Sequence, residues 1–529
     1  MAEKKKFVIT PFRPNVQMNS EAAKGIWRAL KDAIVEIHGK NASSLSFEEL
    51  YRNAYNLVLH KHGELLYAGV TESVTEHLRA NAARVSSKPD DQLLAELTAQ
   101  WDDHKITMVM IRDILMYMDR TYVMQRKKKP VYDLGLQIFL EQIARHADVK
   151  DRLRELLLRN IHSERTGEVV DRSQLKNILS MLQELGVQSI CVYEQDFEGG
   201  FIKATEDFYR HESQDFISQN TCPDYMRKAE ARLQEEQQRV AHYLSSSTEQ
   251  KLKRVVEHEL IQRHASALVE MENSGCASMF NDGKVDDLKR MYRLFSRVPE
   301  TLQLLCTALS KHIKARGSQL VRDQDEQRDP VVFVQELLNL RDKYGRFITE
   351  SFRGAKNFEK VMKEAFEAFI NADARVASYL AQYVDDMLRS KLRGLGEEQV
   401  EERLSKVIVI FRYLQDKDVF ENFYKQHLAK RLISGRSVSD EAERNMISKL
   451  KVRARSPHAR RHAACPTTAL PPSLPPATLP RVDTSPLPPA PLPTDRVRLH
   501  VHVEAGGHVQ GYDALKGDIG RLQAALPRS

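Results

Sequence analysis

From residue 20 to residue 451, apolar residues recur at intervals of three and four, the spacing of one face of an α-helix. Ile26, Leu30, Ile34 and Ile37 share one face of the first predicted helix. Asp171 stands in capping position before the stripe Leu175, Ile178, Leu179, Leu182 and Leu185, which stops at Gly186. The period continues through Phe197, Phe201, Phe208, Tyr209 and Phe216, and again through Phe420, Phe423, Tyr424, Leu428 and Leu432. No alternation of apolar and polar residues before residue 452 predicts a strand. The fold class is therefore all-α. About 430 helical residues exceed one bundle, so several bundles or a solenoid of long, divergent repeats of roughly 100–120 residues are expected.

One predicted helix has more apolar surface than a core requires. Ser46 and Glu49 form a capping box, and Leu50, Ala54, Leu57 and Val58 make a sufficient core stripe. A second stripe, Phe47, Tyr51, Tyr55 and Leu59, runs beside it. The helix is predicted to run to about His62 and to stop at a left-handed Gly63. The second stripe has two readings. It widens the buried face, the commoner case, or it is an exposed aromatic anchor for a partner.

Composition divides the chain. The 529 residues carry a formal charge of +7. Residues 1–451 hold 70 Lys+Arg against 68 Asp+Glu, which leaves +2, whereas residues 452–529 carry +5 and 13 of the 20 prolines. A body near neutrality has no field to hold a polyanion, which argues against nucleic acid as a partner. No stretch of 18 uncharged apolar residues predicts a membrane span, and the apolar residues after Lys4, Lys5 and Lys6 are too few for a signal peptide. Cysteines 191, 222, 276, 306 and 465 match neither a disulfide framework nor a zinc site, so the expected location is reducing: cytoplasm and nucleus.

No catalytic motif emerges, so the chain is expected not to be an enzyme, and no cofactor is expected. His264 lies six residues after His258, whereas two zinc ligands on one helical face need a spacing of four. Gly275 and the pair Gly283 and Lys284 are too far apart for a phosphate loop. His458, His462 and Cys465 have ligand-like spacing but sit among Arg453, Arg455, Arg460 and Arg461 and lack a fourth ligand. No metal is therefore expected. The strings Pro472 to Pro475 and Pro486 to Pro489 could dock in SH3-type grooves, but they also arise by chance in proline-rich sequence. Residues 452–529 are expected to be disordered.

Several long segments resemble the cullin family in the family's order. They are Leu45–Tyr55 (LSFEELYRNAY), Val58–Gly63 (VLHKHG), Met108–Asp119 (MVMIRDILMYMD), Gly167–Arg172 (GEVVDR), Tyr193–Glu198 (YEQDFE), Met271–Gly275 (MENSG), Leu294–Pro299 (LFSRVP) and Asp418–Arg431 (DVFENFYKQHLAKR). Within the family the likeness is greatest to the cullin-3 branch, which takes BTB-domain proteins as substrate adaptors.

The resemblance implies a non-catalytic scaffold subunit of a cullin-RING ubiquitin ligase, acting in ubiquitin-dependent protein degradation. It implies an elongated stalk of three five-helix cullin repeats, at 19–145, 146–265 and 266–375. An N-terminal arm, 1–18, precedes them, and the start of a four-helix bundle, 376–451, follows. Carried over by position, the adaptor-binding residues are Leu45, Phe47, Glu48, Tyr51 and Tyr55 in the second helix, and Tyr117 and Arg120 in the fifth. Phe7, Ile9 and Phe12 of the arm match the family less well.

The likeness stops at Lys451, after Ser437–Lys451 (SVSDEAERNMISKLK). The family continues there into the regions that bind the RING-box subunit and carry the lysine modified by a ubiquitin-like protein. Neither is recognised in residues 452–529, whose one lysine, Lys516, lies in unrelated sequence. The switch reads as a retained intron, a frameshift or a gene-model error, which transcripts spanning codons 451 and 452 would test. Two consequences are expected. The polypeptide binds adaptors without recruiting a RING subunit, and so could sequester them. The faces of Val407, Ile410, Phe411, Phe420, Phe423 and Leu428 lack partners, which leaves the region after about residue 376 less stable than the stalk. The alternative is a helical solenoid scaffold unconnected with ligases.

Overall fold

The computed structural model describes residues 18–322 and 329–454. The arm residues Phe7, Ile9 and Phe12, and the proline-rich segment with its metal-like and PxxP spacings, lie outside them. Every regular element among the described residues is helical. The first six helices are α1 (Ser20–His38), α2 (Phe47–Leu59), α3 (Gly63–Ser86), α4 (Asp90–Ile114), α5 (116–126) and α6 (131–144). No described helix is long and apolar enough to cross a membrane.

Side-chain caps set many of the starts. Asn19 accepts from the Ala22 amide at 2.7 Å, and Asp171 accepts from Ser173 and Gln174 ahead of helix Arg172–Glu184. Each cap occupies an amide that has no partner inside its own helix. Six helices also widen through a π-turn, among them Asp119–Val123 in α5 and Leu140–Ala144 in α6. These turns shift the apolar stripe around the helix and blur the simple period.

Packing is mainly between helices close in sequence. The α1 helix lies on α2 and α3, while α4 packs on α6 and on Arg172–Glu184. Farther on, Leu302–Arg322 lies along Lys356–Ile370, and Arg375–Asp386 along Lys417–Ser434. A β-carbon at Gly317 would stand 2.3 Å from the Phe369 ring, so glycine permits the close approach of the first of these pairs. The buried side chains form one continuous core.

Buried charges join helices far apart in sequence. Arg165 donates to Glu236 at 2.8 Å and to Thr205 at 2.8 Å, and the Tyr209 hydroxyl donates to the same Glu236 at 2.6 Å. Arg431, fully buried, donates to Asp385 at 2.5 Å and to Glu443 at 2.8 Å and 3.0 Å, which ties helix Asp440–Ala454 to its neighbours.

The expectation of uncovered faces after residue 376 is largely corrected. Val407, Ile410 and Phe411 are buried because Arg375–Asp386 and Asp440–Ala454 both pack on Glu397–Tyr413, and Phe420 is buried against Phe411, with Arg375–Asp386 packed on its own helix. Leu428 is half-buried; Phe423 and Leu432 do face solvent. The pair His258 and His264 does not converge. His258 bonds to Glu259, and His264 bonds to Ser213. The four described cysteines are free thiols, and burial pushes Cys222 up to about 12.

Candidate functional site

The surplus stripe of α2 stays at the surface. Leu50, Ala54 and Leu57 are buried against α1, α3 and α4, which satisfies the helix's need for a core. Phe47 remains 53% exposed, Tyr55 36% and Leu59 43%, while Tyr51 is half-buried. The start of the helix is fixed by one half of the expected capping box, with the Ser46 hydroxyl accepting from the Glu49 amide at 3.4 Å. Leu45 is half-buried against the core just before that cap. Exposed Glu48 is neutralised by Arg52 at 2.7 Å.

The α5 helix completes the face. The rings of Tyr55 and Tyr117 meet with centroids 4.5 Å apart and tilted by 48°, and Phe47 lies 6.3 Å from Tyr51. Tyr117 is half-buried, and Arg120 is exposed. Residues from two helices separated by more than 50 positions are thus brought into one aromatic surface. Met124, on the same helix as Tyr117 and Arg120, is 72% exposed. Sequence reasoning missed it. A lone methionine in an apolar period reads as core, and the π-turn Asp119–Val123 displaces the period that would have placed it.

A polar clamp holds α5 against the start of α3. Tyr122 donates a short hydrogen bond to Glu64, and Lys128 reaches the same carboxylate at 2.9 Å and 3.0 Å. The Tyr122 bond, reinforced by Lys128, holds Glu64 below its ordinary pKa. Lys128 also lies 4.5 Å from the centre of the Tyr67 ring. Asp119 accepts from the Val131 amide at 3.0 Å, which fixes the turn between α5 and α6. Burial pushes the Asp119 carboxyl above its ordinary pKa.

Gly63 has a role other than the one predicted. The α2 helix ends at Leu59, and Lys61 takes the left-handed conformation, with φ of 66°. Gly63 instead opens α3, where a β-carbon would stand 2.6 Å from the Tyr122 ring. The chain reaches this end of the face at Met18, whose carbonyl oxygen lies 3.2 Å from the His62 Nε2 that donates to it. Among the described residues no three metal-ligating side chains converge.

An exposed aromatic surface on a helical scaffold can bind a protein, but by itself it does not identify a family. Comparison with known proteins does. A family model described as the cullin alpha solenoid domain matches residues 27–456. The chain belongs to the cullin family. Cullin-3 of Dictyostelium discoideum is 48% identical over 428 residues, covering 81% of this chain and 56% of that protein. Cullin-3B of Arabidopsis thaliana is 46% identical over 449 residues, covering 85% and 61%. Cullin-3 of Caenorhabditis elegans is 38% identical over 456 residues, covering 84% and 58%. The match to this cullin therefore spans less than two thirds of each relative. Human cullin-4A, at 35% identity over 451 residues, is more distant.

Proposed function

We propose that this chain is the scaffold of a cullin-RING ubiquitin ligase and receives BTB-domain substrate adaptors on the face made by α2 and α5. The observation that carries the proposal is the solvent exposure of Phe47, Tyr55 and Leu59 after the same helix has buried a full core stripe. Tyrosine suits such a face, with large apolar area, few rotamers to freeze and a hydroxyl for orientation. The chain holds adaptors and does no chemistry of its own. In this reading Tyr55 and Tyr117 form the centre of the contact, with Leu45, Phe47, Glu48, Tyr51 and Arg120 around them. Repeats at 19–145, 146–265 and 266–375 would set the distance between adaptor and ligase machinery.

A pull-down with purified BTB-domain adaptors tests this directly. Tyr55→Ala should weaken retention by about 2 kcal/mol or more, roughly a 30-fold rise in Kd. Thermal stability should fall only modestly, since the truncation also removes the ring contact with Tyr117, and a circular dichroism spectrum like that of wild type separates lost binding from lost folding. Equal retention of wild type and Tyr55→Ala would count against the proposal. The 529-residue polypeptide is expected to retain an adaptor but not a RING-box subunit, and so to sequester adaptors when expressed alone.

A further inference from the structure

We infer that the α2–α5 face carries a basic rim at one end, which meets carboxylates on the partner and speeds its docking. The inference rests on the proposed adaptor contact and adds the charge character of the partner.

Between Arg120 and Lys129 the sequence holds five cations and no carboxylate. Lys61 stands at the adjoining end of α2, since the first turn of α3 touches α5 through Gly63 against Tyr122 and through Lys128 on Glu64. Two members of the run are occupied: Lys128 by Glu64 and Lys129 by the Gln137 amide oxygen at 2.5 Å. Arg126, Lys127 and Lys61 are exposed and have no ion-pair partner among the described residues. A single cation in a last helical turn is explained by the helix dipole. A run that continues past the helix end, beside exposed Met124 and Leu59, goes beyond that need.

The charge is local. The α2 helix is about 20 Å long, more than twice the screening distance of about 8 Å at physiological salt. Glu48 at its far end is in any case paired with Arg52. Glu49, exposed in the same first turn, has no ion-pair partner among the described residues, so the Phe47 end is slightly negative, whereas the Leu59 and Met124 end is positive. The complementary partner is an adaptor whose apolar contact is bordered on one side by aspartates or glutamates. Charges at such a rim act mainly on association rate, whereas buried aromatic anchors act mainly on dissociation.

The experiment measures association and dissociation rates of the full chain with a recombinant BTB-domain adaptor, at about 50 mM and 300 mM salt. Three proteins are compared: wild type, the triple variant Lys61→Glu, Arg126→Glu, Lys127→Glu, and Tyr55→Ala. The triple variant should associate about ten-fold more slowly at low salt, with the gap closing at high salt and dissociation within about two-fold of wild type. Tyr55→Ala should mainly dissociate faster. A triple variant that associates as fast as wild type at low salt overturns the rim while leaving adaptor binding intact. A wild-type chain that binds no adaptor overturns the reading beneath it, and the rim with it. All three substituted charges are exposed, and the neutral triple Lys61→Gln, Arg126→Gln, Lys127→Gln, which adds no repulsion, should fall between wild type and the reversal.

Discussion

At the scale of single residues, the difference that matters is between aromatic side chains the fold uses and those it leaves outside. Tyr193, Tyr209 and Tyr344 are fully buried, whereas Tyr55 keeps a third of its surface exposed while touching Tyr117. The surplus was legible in the sequence, because α2 has two apolar stripes where one suffices. That Tyr117 belongs to the same surface as Tyr55 was expected only from family resemblance, and the contact of their rings was not foreseen, since periodicity relates residues within a helix and not between helices. The Arg165–Glu236 pair was not legible at all, because its partners lie 71 positions apart and each reads as surface charge. A further residue-scale property follows from the histidines joining α1, α3 and α4. His104 is buried and donates to the Gly135 carbonyl at 3.0 Å, and burial lowers its pKa to about 4. His38 stacks on His77 at 4.0 Å and is lowered to about 3, by burial first and then by charge on His77 and His104. Their folded-state pKa values lie below the ordinary 6.5, so the unfolded chain binds more protons as pH falls below that value. Their contribution to stability is complete above about pH 6.5 and declines as pH falls toward 4. Urea midpoints should therefore be lower near pH 5.5 than at pH 7.5, and the drop should shrink in His38→Gln, His77→Gln. Identical midpoints in wild type at the two pH values would exclude this coupling.

At the scale of elements, helix existence was legible and helix ends were less so. The caps at Ser46 and Asp171 stand as predicted, because a side-chain oxygen beside free amides is a local interaction. Gly63 was misassigned because a glycine serves equally as a left-handed cap and as a gap for a neighbour's ring, and only the packing of Tyr122 decides. The period Phe420, Phe423, Tyr424, Leu428 and Leu432 marks one helix, yet its members divide: Phe420 and Tyr424 are buried, whereas Leu432 is 57% exposed. The helices after residue 376 close on one another more fully than their sequence suggested. Helix Asp440–Ala454 buries less, with Ala442 and Met446 buried and Ile447 and Leu450 half-buried, and is held otherwise by the Arg431–Glu443 pair and by Asn445 and Lys449 on Glu401. Limited proteolysis should therefore cut at or after the turn that follows Ser434 before it cuts within 376–434. Early cleavage inside 397–434 would show that the buried Val407, Ile410, Phe411 and Phe420 do not hold these helices together.

At the scale of the molecule, cores formed mainly between nearby helices let a long chain bury its apolar residues without bringing distant segments together. That is why so much of the fold was legible: each helix needs little more than the stripe written in its own sequence and in the next two or three. The partner of such a scaffold is the least local property, and only the surplus surface on α2 and α5 points to it. Hydrogen–deuterium exchange of the full chain, with and without a saturating BTB-domain adaptor, reads that property most directly. Adaptor capture predicts added protection in 47–59 and 116–126, none across 147–322, and loss of the protection in Tyr55→Ala. Protection confined to other helices, or an adaptor that protects nothing, would contradict it.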